Sequence, residues 1–147
     1  MSLKERLQED WKSAMKSRDR FKANTISMAK AAVLMAEKSD GSQLDDESVI
    51  AVLSKEVKQR RDAILEYEKG NRQDLVENTK NEIEILLEYL PQQLTEDEIR
   101  KIVEDAVREV GAASIKDMGK VMTAIMPKTK GRADGKLVNV IVREYLK

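Results

Sequence analysis

Seven segments of this chain space their apolar residues three and four positions apart, which places those residues on one face of an α-helix. In the first segment, Leu3, Leu7, Trp11 and Met15 follow one another at intervals of four, directly after Ser2, a residue suited to cap a helix. No segment alternates apolar and polar residues over the length of a strand. The spacing therefore predicts an all-α protein.

Breaks in this pattern divide the predicted helices into two groups. Pro91 ends the fourth apolar segment, and Thr95 with Glu98 then forms a capping box that starts the fifth. Short loops between helices favour antiparallel neighbours. We expect an antiparallel four-helix bundle over residues 1–90 and a separate three-helix subdomain over residues 91–147.

The core must be aliphatic, because aromatic residues make up only 3% of the chain. On the second predicted helix we expect an inward face of Phe21, Thr25, Met28, Ala32, Met35 and Ala36. On the last one we expect Leu137, Val138, Ile141, Val142 and Tyr145 to face inward. Methionines that recur at helical spacing are also assigned to the core, because such stripes mostly fill gaps there: Met28, Met35, Met118, Met122 and Met126.

The residue types available restrict the chemistry of the chain. It contains no cysteine and no histidine, which excludes disulfides, thiol nucleophiles and the commonest general base and metal ligand. The consecutive acids Asp45, Asp46 and Glu47 cannot converge on one ion as loop ligands do, and Asp45 or Asp46 is expected to cap the third helix. We therefore predict no catalytic site of its own, no metal and no cofactor.

The chain shows no sign of export or membrane insertion. Its first eleven residues are charged throughout, unlike a signal peptide, and its longest apolar run has six residues (31–36). A membrane span needs roughly 18 apolar residues. Together with the absence of cysteine, which fits a reducing compartment, this predicts a cytoplasmic protein with no membrane partner.

Charge is balanced overall but unevenly distributed. The chain has 27 basic and 27 acidic residues, yet residues 111–147 carry eight basic residues against three acidic ones. Half of these eight lie in the sequence MPKTKGRADGK, residues 126–136, which we call the basic loop; its Pro127 is expected to end the preceding apolar segment. Such local excess predicts a contact with an anionic partner more reliably than net charge does.

Two interpretations of the basic loop remain open. Its GRADGKL sequence fails as a nucleotide-binding P-loop, because the glycines are too close and Leu137 replaces the Ser or Thr that would hold Mg²⁺. Gly131 and Gly135 could still let the backbone approach an anion at the start of the last helix, near Asp134. Alternatively, the loop is a solvated turn in which Asp134 caps its own helix.

A second basic group occurs in the sequence KQRRD, residues 58–62. The inward stripe of the third helix passes through Arg60 or Arg61, so one of the two should lie at the core boundary and pair with Asp74 or Glu82. The other is free to face a phosphate. We therefore include Arg60 among the candidate residues for contacting nucleic acid.

Three stretches resemble the YqeY family: QRRDAILEYEKGNRQDLVENTKNEI (59–83), LLEYLPQQLTEDEI (86–99) and MGKVMTAIMPKTKGRADGKLVNVIVREYL (118–146). That family is similar to the tail domain of the B subunit of tRNA-dependent amidotransferases and to a domain appended to some bacterial glutaminyl-tRNA synthetases. The resemblance implies a two-lobed helical fold whose C-terminal lobe contacts tRNA outside the anticodon. It points to these residues as the contacts: Lys128, Lys130, Arg132 and Lys136, with Lys120 and Arg143 flanking them.

The function therefore has three candidate classes. The first, which we favour, is a non-catalytic accessory module that binds tRNA or another structured RNA through its shape and phosphates. The second is a protein-interaction module that docks on a partner in aminoacyl-tRNA metabolism. The third, a carbon–nitrogen ligase of the amidotransferase class, is the weakest, because the catalytic machinery that the resemblance implies belongs to other domains.

Overall fold

A computed structural model describes residues 1–147 as seven α-helices and one short 3₁₀ turn, with no strand. The predicted all-α class is confirmed. The helices are α1 (Leu3–Lys16), α2 (Arg20–Asp40), α3 (Asp46–Lys69), α4 (Gln73–Leu87), α5 (Glu96–Val110), α6 (Met118–Thr129) and α7 (Gly135–Tyr145), and the 3₁₀ turn covers Ile115–Asp117.

Local side-chain chemistry explains where these helices begin and end. Asp45 accepts a hydrogen bond from the Ser48 N–H at 2.9 Å, so it is Asp45, not Asp46, that caps α3. Thr95 and Glu98 form the predicted reciprocal capping box at the start of α5. Gly111 follows α5 with a φ of 65°, a left-handed conformation that glycine adopts without steric cost.

Contacts divide the chain into an N-terminal unit, Met1–Pro91, and a C-terminal unit, Gln92–Lys147. The sequence predicted the boundary between the two units one residue earlier, after residue 90. Each unit has its own aliphatic core. Buried residues of the first include Leu7, Ile26, Val33, Val49, Leu53, Val57 and Leu86, and those of the second include Ile99, Val103, Val121, Ile125, Val138, Ile141 and Leu146.

Helices α1 and α2 run antiparallel in the N-terminal unit. Lys4 forms an ion pair with Glu37 at 2.6 Å, while Gln8, one turn further along α1, accepts a hydrogen bond from Lys30. The order of contacts is therefore reversed between the two helices.

A buried aromatic residue that the sequence did not single out, Tyr89, donates a hydrogen bond from its hydroxyl to Asp10 at 2.5 Å.

The predicted inward face of α2 is only partly correct. Thr25 is buried as expected, but Phe21, Met28 and Met35 are 40%, 42% and 65% exposed. The buried face carries Ala23, Ile26, Ala29 and Val33 together with Thr25. This helix is apolar around most of its circumference, so spacing alone allows several stripes, and the small or β-branched side chains are the ones that pack against α1, α3 and α4.

Two further residues assigned to the core of the C-terminal unit are exposed. Met126 is 54% exposed on α6, and Tyr145 at the end of α7 is 38% exposed. Leu146, one residue later, is buried instead. Since α7 ends at Tyr145, the chain has left helical geometry there, and the periodicity no longer predicts which side chain turns inward.

Candidate nucleic-acid interface

The basic loop begins inside a helix rather than after one. Pro127 was expected to end the preceding apolar segment, but α6 continues through it to Thr129, so Lys128 lies on the last helical turn. Proline within a helix lacks the N–H that would complete the backbone ladder. The turn is nevertheless closed by the Lys130 N–H, which donates to the Met126 carbonyl at 3.0 Å.

Beyond α6 the chain reverses direction at Gly131, whose φ is 74°. The Arg132 N–H donates to the Thr129 carbonyl at 2.9 Å and closes the turn. A left-handed residue at this point favours glycine, because any Cβ would be strained. The two exposed lysines, Lys128 and Lys130, are therefore held on a backbone of defined geometry.

Three hydrogen bonds tie this turn to the segment that precedes α5. The Leu94 N–H donates to the Arg132 carbonyl at 2.7 Å, and the Gln93 amide donates to the Gly131 carbonyl at 2.8 Å. The Arg132 guanidinium in turn donates through Nε to the Gln92 carbonyl at 3.2 Å. Two segments about forty positions apart are joined in this way, so the turn is anchored and does not depend on solvent for its shape.

The N-terminus of α7 is occupied by its own carboxylate. The Asp134 side chain accepts a hydrogen bond from the Lys136 N–H at 3.0 Å and caps the helix. We expected that this end could receive an external anion, but the cap uses one of its free N–H groups and adds a negative charge. The alternative that Asp134 caps its own helix is what the structure shows.

The basic side chains differ in how far they are already engaged. No ion pair involves Lys128 or Lys130, and both are exposed. Lys120 is also exposed. The pKa of the nearby Asp117 carboxyl is lowered first by hydrogen bonds from the Ala113 and Ser114 N–H groups, and the charge of Lys120 lowers it further.

Arg132 has a structural role in addition to its charge. It donates a hydrogen bond to the Gln92 carbonyl. The pKa of the Glu98 carboxyl is lowered first by the hydrogen bond from the Thr95 N–H, and the charge of Arg132 lowers it further. Its guanidinium therefore lies within electrostatic reach of the first turn of α5. Arg132 therefore interacts with the segment before α5 as well as carrying a charge of the basic loop.

Helix α7 extends the basic surface beyond the turn through the predicted residues Lys136 and Arg143. Lys136 and Arg143 are seven residues apart, hence on one face, and Asn139 and Val140 lie between them on the same side. We call these four residues the α7 stripe. The Asn139 amide oxygen accepts a hydrogen bond from Arg143 Nε at 2.9 Å. The i, i+3, i+4, i+7 spacing from Lys136 was the signal that could have identified Asn139.

The α7 stripe contains no acidic residue. The one carboxylate of α7, Glu144, accepts a hydrogen bond from Arg100 of α5 at 2.7 Å. The stripe spans about 10 Å, since each helical residue advances 1.5 Å. Its two cations therefore form a linear array rather than a single point of positive charge.

Arg60 is not part of this surface. It belongs to the N-terminal unit, and its side chain is only 13% exposed. Its guanidinium lies 3.2 Å from the Glu56 carboxylate and 3.4 Å from that of Glu82. The structure therefore places Arg60 at the core boundary, where pairing with Glu82 was expected for one of the two arginines, and it does not leave Arg60 open to a phosphate.

Comparison with known proteins gives the chain its family. The two helical units and the basic surface of the second define only a broad class of all-α proteins. The family model described as Yqey-like protein matches residues 4–146, and the chain belongs to this YqeY family.

Named relatives occur in fungi. The chain is 30% identical over 144 residues to "Altered inheritance of mitochondria protein 41, mitochondrial" of Pyrenophora tritici-repentis, a match that covers 96% of this chain and 79% of that protein. The protein of the same name in Lachancea thermotolerans is 38% identical over 87 residues, or 58% of this chain and 46% of that one. An uncharacterized protein of Schizosaccharomyces pombe is 34% identical over 79 residues, or 54% and 64%. In the second of these the match spans about half the length of the relative.

Two further features of the structure concern other kinds of site. No helix is both long and apolar enough to cross a bilayer. No group of three or more acidic side chains is arranged to hold a metal ion. The predictions of a cytoplasmic location and of a non-catalytic chain stay predictions, and the names of the relatives place those proteins in mitochondria.

Proposed function

We propose that the C-terminal unit binds the phosphate backbone of a structured RNA, with tRNA as its ligand, and that the protein acts as an accessory module beside another tRNA-binding protein. The observation that supports this most strongly is the anchored turn that presents Lys128 and Lys130 without ion pairs, next to the cationic α7 stripe. Cations on a fixed backbone lose less conformational freedom when they bind phosphates.

The mode of recognition follows from the residues available. Tyr145 is the one aromatic residue in the C-terminal unit, so the unit has no platform on which successive bases could stack. The surface instead offers lysine and arginine side chains together with the Asn139 amide, which suit phosphate and ribose oxygens. We therefore propose recognition of backbone shape rather than base sequence.

The small number of available cations indicates that this surface binds RNA only weakly by itself. If Lys128, Lys130, Lys136 and Arg143 neutralise four phosphates, the logarithm of affinity falls with the logarithm of salt concentration with a slope of about −3.6. That slope lowers affinity roughly a hundredfold between 50 and 200 mM salt. A dissociation constant on the order of 10⁻⁵ M is typical of such electrostatic binding, so simultaneous binding beside a partner would supply the missing affinity.

The test is fluorescence anisotropy with labelled tRNA over a salt series, using wild type and two double variants. Lys128→Ala/Lys130→Ala removes the two cations of the turn, and Lys136→Ala/Arg143→Ala removes those of the α7 stripe. Each should reduce the slope by about 1.8 and weaken binding at 50 mM salt about tenfold. Arg132 is left unchanged, because its hydrogen bond to Gln92 makes its loss a structural perturbation.

The matched control is Lys101→Ala/Arg108→Ala, which removes the same charge from the exposed side of α5. This variant should keep the wild-type slope within about half a unit, whereas a loss equal to that of the other variants would show a nonspecific response to net charge. Absence of binding at 50 mM salt would refute the proposal and would direct attention to an acidic protein surface as the partner of the same residues.

A further inference from the structure

A small apolar pocket lies in the C-terminal unit, between the last turns of α6 and the first turn of α7. It has a volume of about 180 Å³ and is lined by both helices and by the turn that joins them. The buried side chains of Ile125 and Val138 form its floor. Met126, Lys130 and Gly135 are exposed and form its rim. The pocket therefore opens onto the surface of the basic loop.

The sizes of the lining residues determine what fits into the pocket. On one side Ala133 and Gly135 are small, and a Cβ added at Gly135 would meet no atom of another part of the chain within 4 Å. On the other side Met122 and Met126, one helical turn apart on α6, supply flexible thioethers. A cavity of about 150 Å³ accommodates one benzene ring. The pocket therefore has room for a single six-membered aromatic ring and not for a stack of rings.

The charge around the pocket is predominantly positive. From residue 118 to residue 143 the chain has six basic residues and one acidic residue. Lys130 lines the pocket, Lys128 lies two residues before it, and neither forms an ion pair. The one acidic residue, Asp134, does not line the pocket, and its carboxylate already accepts a hydrogen bond from the Lys136 N–H.

The other carboxylates of the C-terminal unit lie elsewhere. Six of them belong to α5. Asp117 precedes α6 at the end away from the pocket, and its carboxylate accepts a hydrogen bond from the Ala113 N–H. Glu144 lies at the far end of α7 and pairs with Arg100. An occupant that matches these surroundings joins an aromatic ring to an adjacent anion, which is the chemistry of a nucleotide.

We propose that the pocket receives one unstacked base, of pyrimidine size, from the RNA that the C-terminal unit binds. This inference rests on the proposed RNA binding and adds to it a site that contacts a base. Bases of single-stranded loops can be turned outward, whereas those of a paired helix are stacked. Methionine sulfur makes favourable contacts with aromatic rings, so Met122 and Met126 contact the base. The adjacent phosphates then lie at Lys128 and Lys130.

Selection at this pocket is by size. Its one hydroxyl, that of Thr129, already donates a hydrogen bond to the Ile125 carbonyl at 3.2 Å. No amide or carboxylate side chain lines the pocket to pair with the edge of a base. The pocket therefore adds affinity for RNA with an unpaired loop without reading the sequence of that loop. A protein side chain would fill the same space but would bring no phosphate to the lysines.

The probes are two labelled RNA hairpins with the same paired stem and a loop of about eight nucleotides. In the first hairpin the loop consists of uridines. In the second every loop nucleotide is abasic, so the number of phosphates is the same. Binding of each to the full chain is followed by fluorescence anisotropy over a salt series. The uridine loop should bind at least fivefold more tightly, and the two salt slopes should agree within about half a unit, because a base carries no charge.

A leucine at Gly135 tests whether the pocket itself is responsible. Gly135→Leu places an apolar side chain at the rim and should weaken binding of the uridine loop at least fivefold. Binding of the abasic loop should stay within about twofold of wild type, which separates loss of the pocket from damage to the cationic surface. The matched control is Gly119→Leu, the same change at another helical glycine with open space around it, outside the pocket. This control should bind both hairpins as wild type does.

A second pair of variants removes apolar contact instead of filling space. Met126→Ala shortens one side of the pocket and should weaken binding of the uridine loop about threefold without changing the salt slope. Met15→Ala changes a methionine of the N-terminal unit that is equally exposed, at 54%, and should have no effect. Circular dichroism of each variant verifies that the helices remain folded.

Three results would overturn this proposal. Equal affinity of the wild type for both hairpins, with a steep salt slope for each, would show RNA binding without a base in the pocket. Equal weakening of both hairpins by Gly135→Leu would show that leucine obstructs the phosphate contacts and that the pocket holds no base. If neither hairpin binds at 50 mM salt, the base pocket is refuted, and if tRNA does not bind either, RNA binding by the unit is refuted with it.

Discussion

The two units hold their cationic side chains in different ways. In the N-terminal unit the cations at helix contacts are paired: Lys4 with Glu37, Arg60 with Glu56 and Glu82, and Arg6 over the ring of Tyr89 at 4.5 Å. In the C-terminal unit Lys128 and Lys130 have no such partners. The difference teaches that the environment of a cation, rather than its frequency in the chain, decides whether it stabilises the fold or is available to a ligand.

Net charge alone would obscure this contrast. The C-terminal unit has eleven basic residues against nine acidic ones, a small excess. Six of its nine acids lie in α5, where Glu96 and Glu104 engage Arg100 and Arg108. Segregation of paired charges onto α5 leaves the turn and α7 with a surplus of cations.

The largest expected effect comes from removing a paired cation. Arg60→Met should lower the free energy of unfolding by about 2 kcal/mol, because Glu56 and Glu82 would remain largely buried without a counter-charge. Urea unfolding measures this loss, and adding Glu82→Gln should recover part of it. tRNA affinity should not change. Normal stability with lost tRNA binding would instead make Arg60 a phosphate contact and abolish the contrast between the units.

Tyr89 provides a pH-dependent test of the N-terminal unit. Burial, and then the hydrogen bond to Asp10, raise the pKa of its hydroxyl above the ordinary value of 10. Above pH 10 the unfolded chain releases this proton while the folded chain retains it, so stability falls as pH rises, by about 1.4 kcal/mol per pH unit. Below pH 10 this contribution is fully present.

Tyr89→Phe removes that dependence together with the hydrogen bond. At pH 7 we expect a loss of about 1.5 kcal/mol in urea unfolding, because Asp10 loses the donor of a charge-assisted hydrogen bond. The difference in stability between wild type and variant should then decrease above pH 10. Tyr145→Phe, at a residue 38% exposed, is the matched control and should have little effect at either pH. A constant difference across pH would contradict the proposed cause.

Arg132 tests the boundary between structural and ligand-binding cations. Arg132→Ala should cost about 1 kcal/mol of stability, since the Gln92 carbonyl loses its donor, whereas Lys130→Ala should cost almost nothing. Both changes remove one charge and should weaken tRNA binding. Equal stability of the two variants in thermal unfolding would mean that the arginine does not help to anchor the turn.

The smallest effect concerns the cap of α7. Asp134→Asn keeps a side-chain acceptor for the Lys136 N–H and removes a negative charge, so we expect tRNA affinity to rise about twofold with stability unchanged. Asp134→Ala should also bind more tightly but lose about 1 kcal/mol of stability with the cap. Weaker tRNA binding by the asparagine variant would show that the carboxylate helps to form the interface.

The sequence predicted which residues form most of the candidate site, but not what each of them contacts. The loop sequence identified the lysines around Gly131, because charge and glycine are local properties of the chain. It could not show that Arg132 bonds Gln92, since the two residues are 40 positions apart. It also placed Lys128 outside a helix, because a proline usually ends one and only the geometry of α6 shows that this helix continues.

The sequence by itself determined the helical class and most helix starts, because caps such as Asp45 and Thr95 and breakers such as Gly111 act within a few residues of themselves. Only the tertiary structure decided which side of α2 is buried and which cations are paired. A helix that is apolar on two faces satisfies the same spacing either way, and the choice depends on the shapes of the neighbouring helices, where Ala29 and Val33 fit and Met28 and Met35 remain outside.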